Sequence, residues 1–114
     1  MKYYIGIDLG GTNIKGGIAD ENGNVVVKKS VPTQAEKGAS GVIENIAELC
    51  RNLSASAQMD FSQISAIGAA IPGMIDAQAG VVTYSNNLNW KDVHLAKDLQ
   101  DKTGLPVYIY FCRF

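Results

Sequence analysis

Apolar and polar residues alternate in three short runs at the start of the chain. Tyr3-Tyr4-Ile5-Gly6-Ile7-Asp8-Leu9 is β-branched and aromatic and reads as a strand, which Gly10-Gly11 breaks. Asn13 to Ala19 reads as a second strand and Val25 to Val31 as a third. Asn22-Gly23 between them marks a tight antiparallel turn. The period then changes. Val42, Ile43, Ile46, Leu49, Cys50 and Leu53 recur every three or four residues and predict a helix with one apolar stripe, for which Ser40 is the expected N-cap. Ile64 to Ile71 is apolar almost throughout and predicts a buried strand, ended by Pro72-Gly73. Val81 to Tyr84 suits a short hairpin arm. A second helix is expected from Val93 to Lys102, capped by Asp92 and stopped by Gly104, with Pro106 beyond it. Val107 to Phe111 is the last strand.

The predicted order is β-β-β-α-β-α-β. Tight turns make the first three strands antiparallel neighbours. Each later strand is reached through a helix, which favours a parallel, right-handed crossover. The expectation is an α/β domain with a mixed five-stranded sheet, in the order 3-2-1-4-5, and two helices lying on it.

Composition narrows what such a domain can do. At 114 residues the chain fits one domain, and 46% hydrophobic residues supply a core. A net charge of −1 without a basic stripe disfavours binding to a nucleic-acid backbone. Cys50, Cys112 and His94 cannot assemble the four ligands of a zinc site. No apolar run approaches the roughly 20 residues of a membrane span, and Met1 to Tyr4 lead straight into a strand pattern without the features of a signal peptide. These readings place the chain among cytoplasmic α/β domains with no membrane partner.

The chemistry concentrates in Asp8-Leu9-Gly10-Gly11-Thr12-Asn13-Ile14-Lys15. Asp8 closes a strand, where a carboxylate needs a cation, a donor or water. Gly10 and Gly11 can turn the backbone without a Cβ in the way of a ligand, and successive free N–H groups in such a turn suit phosphate oxygens. Thr12 adds a hydroxyl and Lys15 a positive charge. A plain Gly-Gly hairpin with a surface Asp is the alternative. The string is not a Walker loop, since it lacks the Gly-Lys-Ser/Thr ending, and not a dinucleotide fingerprint, since its glycines open a strand rather than a helix.

Asp8-Leu9-Gly10-Gly11-Thr12-Asn13-Ile14-Lys15 resembles the first phosphate motif of the ROK family of sugar kinases and regulators. Ala70-Ile71-Pro72-Gly73-Met74-Ile75-Asp76 and Asn86-Asn87-Leu88-Asn89-Trp90 resemble the family's Pro-Gly segment and its Asn-Leu-x-x-Trp loop beside the sugar. The resemblance covers residues 3–109. It implies a ribonuclease-H-like domain of the actin-like ATPase and sugar kinase fold, with ATP and Mg²⁺ as cofactors and a hexose or N-acylhexosamine as substrate. It implies that Asp8 holds Mg²⁺ through water, that Gly10, Gly11 and Thr12 cradle the ATP phosphates with Lys15 nearby, and that Gly73 approaches a sugar hydroxyl through its backbone. Asn87 and Asn89 fall on the sugar side. Lys15 has a solvated strand residue as its alternative reading, and Asn87 a turn residue. Trp90 is expected to pack its loop down, Asp76 to sit in a turn and His94 to lie on the surface.

The family continues its fifth strand into Glu-Asn-Asp-Ala-Asn, whose Asp is the sugar's general base. Here the chain reads Tyr110-Phe111-Cys112-Arg113-Phe114. The expectation is therefore an amino-terminal domain, residues 1–114, of an ATP-dependent hexose kinase, without the catalytic motif and the second domain, and catalytically silent by itself. A sugar-responsive ROK transcriptional regulator and a non-catalytic binding module are the alternatives. The uncharged terminal strand and the helices the family would add predict a homo-oligomer with residues 107–114 in the contact.

Overall fold

The computed structural model describes residues 1–111. Cys112, Arg113 and Phe114, which belong to the expected contact segment and to the departure from the family motif, lie outside the described residues.

Strands β1 (Tyr3–Leu9), β2 (Asn13–Asp20) and β3 (Val25–Pro32) are followed by helix α1 (Gly38–Ser56) and strand β4 (Ile64–Ile71). Three short strands come next: β5 (Met74–Asp76), β6 (Val81–Ser85) and β7 (Trp90–Val93). Helix α2 (Leu95–Thr103) and strand β8 (Val107–Phe111) close the described chain. The main sheet runs β3-β2-β1-β4-β8, which is the expected 3-2-1-4-5 order counted over its own strands. β1 pairs antiparallel with β2 and parallel with β4, and β4 pairs parallel with β8. Between β4 and α2 the chain forms a second sheet, β5-β6-β7.

The α1 stripe is buried as its spacing requires, from Val42 and Ile43 to Cys50 and Leu53. It packs on the face of the sheet that carries Ile5, Ile7 and Leu9 of β1 and Ile14 and Ile18 of β2. Gly16 makes the approach close. A Cβ there would stand 3.0 Å from Ile7 Cδ1 and 3.1 Å from both Leu49 Cδ2 and Leu53 Cδ1. Glu44 joins the two helices, at 2.8 Å from Arg51 and 2.9 Å from Lys102 of α2. Hydrogen bonds from Lys102 and Arg51 lower its carboxyl below the usual range. Among the described residues no helix is long and apolar enough to cross a membrane.

Three local expectations are corrected. Ser40 is not the α1 cap. A short 3₁₀ turn, Ala35–Lys37, runs into the helix through Gly38 at φ 79°, and Lys37 occupies the cap position. Asp92 does not cap α2 and Val93 does not begin it. Both lie in β7, Asp92 at φ 51°, because Trp90 and Val93 pair with Ser85 and Val82. The helix starts after His94, which is exposed, and Gly104 ends it in the left-handed region at φ 75°. Val81–Ser85 is the expected hairpin arm, paired antiparallel with β5, and it also pairs with β7 as the centre of a three-stranded sheet. Finally, β4 is buried on one face only. Ile64, Ile67, Ala69 and Ile71 are covered, whereas Ala66, Gly68 and Ala70 are half-exposed. The sequence could not separate the two faces of an all-apolar strand, and both helices pack on the same face of the sheet.

The uncovered face carries Tyr4, Gly6, Asp8, Lys15, Tyr108 and Tyr110. The outer strand β3 bears Lys28 and Lys29, charges that discourage edge pairing. The other outer strand, β8, has no charge, and its Tyr108, Tyr110 and Phe111 are each 57% exposed. Light scattering is expected to give a mass above 12.2 kDa that rises with concentration. Tyr110→Lys should move it toward the monomer, and a concentration-independent monomer for the unaltered chain would contradict the expectation.

Burial pushes the Cys50 thiol from its ordinary 9.0 up to about 12. The folded state therefore holds this proton more tightly than the unfolded chain. Stability is fully present below pH 9.0 and is lost as the pH rises from there toward about 12. Urea titrations of the unaltered chain and of Cys50→Ala should show an alkaline loss that is steeper in the former, by at most about 1.4 kcal/mol per pH unit. Equal slopes would mean that the thiol is not desolvated.

Candidate functional site

Parallel pairing of β1 with β4, with Asp8 opposite Ala70, brings the carboxyl ends of both strands to one edge of the domain. The β1–β2 turn and the Pro72-Gly73 segment both leave from that edge. In an open sheet, the carboxyl ends of parallel strands are where ligands collect.

The turn is shaped by hydrogen bonds on one side. The Gly10 N–H donates to the Asn13 carbonyl at 3.0 Å. Thr33, just past β3, is fully buried. Its hydroxyl donates to the Gly10 carbonyl at 2.7 Å and its N–H to the Thr12 carbonyl at 2.8 Å. Asn45 of α1 in turn donates to the Thr33 carbonyl at 3.0 Å and to the Gln34 side chain at 3.1 Å. Among the described residues, the N–H groups of Gly11 and Thr12 donate to no protein acceptor. A Cβ on Gly10 would lie 2.8 Å from the Asn13 carbonyl oxygen, so the tight turn tolerates no larger residue there without shifting.

Asp8 is exposed on the open face, directly across from Lys15. The sequence placed a carboxylate at the end of a buried strand. The strand is buried through Ile5, Ile7 and Leu9, and the alternation of the pleat turns Asp8 to the opposite, open side. Among the described residues no group of three or more His, Cys, Asp or Glu side chains could hold a metal. A single open carboxylate suits Mg²⁺, which keeps several waters and commonly takes one or two carboxylates together with phosphate oxygens.

The Asn-rich loop joins β6 to β7. It turns back with the Asn89 N–H donating to the Asn86 carbonyl at 3.3 Å, and Asn89 takes the left-handed φ of 56°. Leu88 and Trp90 are buried and fix the loop, while Asn87 and Asn89 are exposed. Asn87 meets the phosphate-type turn, because a Cβ on Gly11 would stand 3.1 Å from its carbonyl oxygen. Asn89 has no such approach to the turn. Gly73 sits at φ 155°, and a Cβ there would run into the Tyr84 carbonyl oxygen and lie 3.0 Å from Ser85 Cα. Buried Ser85 donates to the Pro72 carbonyl at 2.6 Å and ties β6 to this segment. Asp76 accepts from the Ala79 N–H at 3.1 Å in a turn.

Sequence reading missed Thr33, Asn45 and Ser85. Each is polar and works from beneath a loop, so its role depends on a distant backbone carbonyl that no local pattern announces. A trough of about 790 Å³ lies on the open sheet face between Asp8, Lys15 and Tyr110, floored by Gly6, Gly17 and Gly68. Its floor is apolar, and Asp8, Lys15, Lys28, Lys29 and Ser30 are its polar lining; the free N–H groups lie in the turn at its end, which is the candidate site.

A glucokinase of Streptomyces griseus, solved with glucose and AMPPNP, superposes with a TM-score of 0.85 at 28% identity, over 96% of this chain and 33% of that one. The domain is of the actin-like ATPase and sugar kinase class. The chain belongs to the ROK family, whose model matches residues 4–110. A glucokinase of Halalkalibacterium halodurans is 31% identical over 95% of this chain and 33% of its own length. An N-acetyl-D-glucosamine kinase of Aliivibrio fischeri is 37% identical over 93% of this chain and 33% of its own. A ROK family transcriptional regulator shares the fold alone, with a TM-score of 0.80 at 20% identity over 96% of this chain and 27% of that one. The chain thus spans about a third of the length of the curated relatives it matches.

Because φ and space both exclude a side chain at Gly73, Gly73→Ala is expected to cost about 2–3 kcal/mol. Thermal melts followed by circular dichroism should show Tm lowered by several degrees. An unchanged Tm would mean that the segment relaxes freely.

Proposed function

We propose that residues 1–114 form the amino-terminal, phosphate-gripping domain of an ATP-dependent kinase acting on a hexose or N-acylhexosamine. The approach of Gly11 to Asn87 carries this reading, since it sets the phosphate-type turn against the loop assigned to the sugar. The glucokinase and N-acetylglucosamine kinase relatives support it.

In this reading the free N–H groups of Gly11 and Thr12 receive phosphate oxygens of ATP, with Gly10 shaping the turn and Lys15 adding positive charge. Mg²⁺, which neutralises charge on the transferring phosphoryl group when bound, is held on the Asp8 side through water. Gly73 presents backbone to a sugar hydroxyl, and Asn87 and Asn89 complete that side. These groups bind and orient, and none of them is assigned removal of the hydroxyl proton. General-base catalysis is worth about 10²–10⁴-fold, and closure of a second domain adds further positioning.

The 114-residue chain is accordingly expected to bind MgATP weakly and to phosphorylate neither glucose, N-acetylmannosamine nor fructose above background. Calorimetry should show the weak binding lost in Asp8→Ala. Binding that ignores this substitution would reduce the Gly10-Gly11 turn to an ordinary hairpin. Turnover of about 1–100 s⁻¹, the range of ordinary kinases, would show that the chain carries a base of its own.

A further inference from the structure

Among the described residues, the hydrogen bonds that reach the β1–β2 turn from outside it come from Thr33. Thr33 grips it twice, through its hydroxyl to the Gly10 carbonyl and its N–H to the Thr12 carbonyl. A trans peptide points its carbonyl and the following N–H in opposite directions. Drawing the Gly10 and Thr12 carbonyls toward Thr33 therefore turns the N–H groups of Gly11 and Asn13 to the far side of the turn. The pull on the Gly10 carbonyl is unusual for a tight hairpin. That carbonyl would ordinarily receive the N–H of the residue closing the turn, and here a side-chain hydroxyl takes it. Thr33 has no exposed atoms with which to serve a ligand itself, and its own carbonyl is anchored to α1 by Asn45.

We infer that Thr33 is a positioning residue that sets the peptide orientations of the Gly10–Asn13 turn and so builds its anion-receiving face. Asn45 transmits the rigidity of α1 to that setting. The inference rests on the phosphate-binding reading of the turn and names the group that makes the turn competent. A valine at position 33 would keep the branched shape and the backbone bond while leaving the half-buried Gly10 carbonyl without its donor. That carbonyl would then compete for the Asn13 N–H and withdraw it from the ligand side.

The test is an amide-resolved NMR titration of the ¹⁵N-labelled chain with MgATP, on the unaltered protein, Thr33→Ser and Thr33→Val. The Gly11, Thr12 and Asn13 amides should shift on titration in the unaltered chain. Thr33→Ser, which keeps the hydroxyl, should bind within about twofold of it. Thr33→Val should bind about tenfold more weakly or worse, with amide positions in β4, α2 and β8 unmoved. A purely structural role would affect the two variants through stability and leave the affinity of the folded protein alone. If Thr33→Val binds as tightly as the unaltered chain, the positioning role is wrong and the phosphate reading stands. If the unaltered, folded chain shows no response at these amides, the phosphate reading fails and the inference with it. Should Thr33→Val not fold, Asn45→Ala takes its place. It removes the half-buried Asn45 donor from the buried Thr33 carbonyl and is expected to weaken binding about threefold, and an unchanged affinity there would overturn the inference.

Discussion

The site depends on β1 being paired on both sides. Antiparallel pairing with β2 makes the Gly10–Thr12 turn, and parallel pairing with β4 sets the end of that turn beside the point where the chain leaves β4. Asp8 opposite Ala70 on one side and Lys15 on the other fixes both relations at once. A slip of one residue in either pairing would move Asp8 to the helix face, because side chains alternate along a strand. The buried set Ile5, Ile7 and Leu9 forbids that slip. Each belongs to the core under α1, and exposing a single such side chain costs about 1.5–3 kcal/mol. The hydrophobic core thus specifies where the carboxylate points.

The same economy governs the loops. The turn and the Pro72 segment are clamped by buried hydroxyls, Thr33 under the turn and Ser85 under Pro72, while Trp90 pins the Asn-rich loop by apolar burial. Buried hydroxyls with both partners in place hold a backbone more sharply than apolar packing does, since leaving a carbonyl bare is costly. The exposed residues, Asp8, Lys15, Asn87 and Asn89, are then free to meet solvent or ligand. This division leaves buried residues to set the geometry and exposed ones free to meet a ligand. Among the described residues, the one buried side-chain polar atom without a partner is Trp90 Nε1.

Family membership rests on the match over residues 4–110 and on relatives above 30% identity, and it carries the fold with it. It does not by itself choose among the family's chemistries, because kinases and a regulator share this domain.

β5, β7 and the second sheet were not legible in the sequence alone; legible there were the order of strands in the main sheet, the helix stripe from Val42 to Leu53, the helix stop at Gly104 and the glycine-rich turn with its carboxylate. These follow from short-range periodicity and from residues whose backbone preferences are strong, so each is legible within a window of a few residues. Tertiary structure decided the rest. Asp92 and Val93 entered a strand because Val82 and Ser85 offered β7 a pairing that outweighed a local capping preference. Both helices chose one face, which left the Gly and Ala side of β4 open although its composition reads as buried throughout. The meeting of Gly11 with Asn87, and the grip of Thr33 on a turn 23 residues away, join segments distant in the chain. Such contacts have no local signature, because the energy that fixes them comes from burying polar groups against one another only after the sheet has formed.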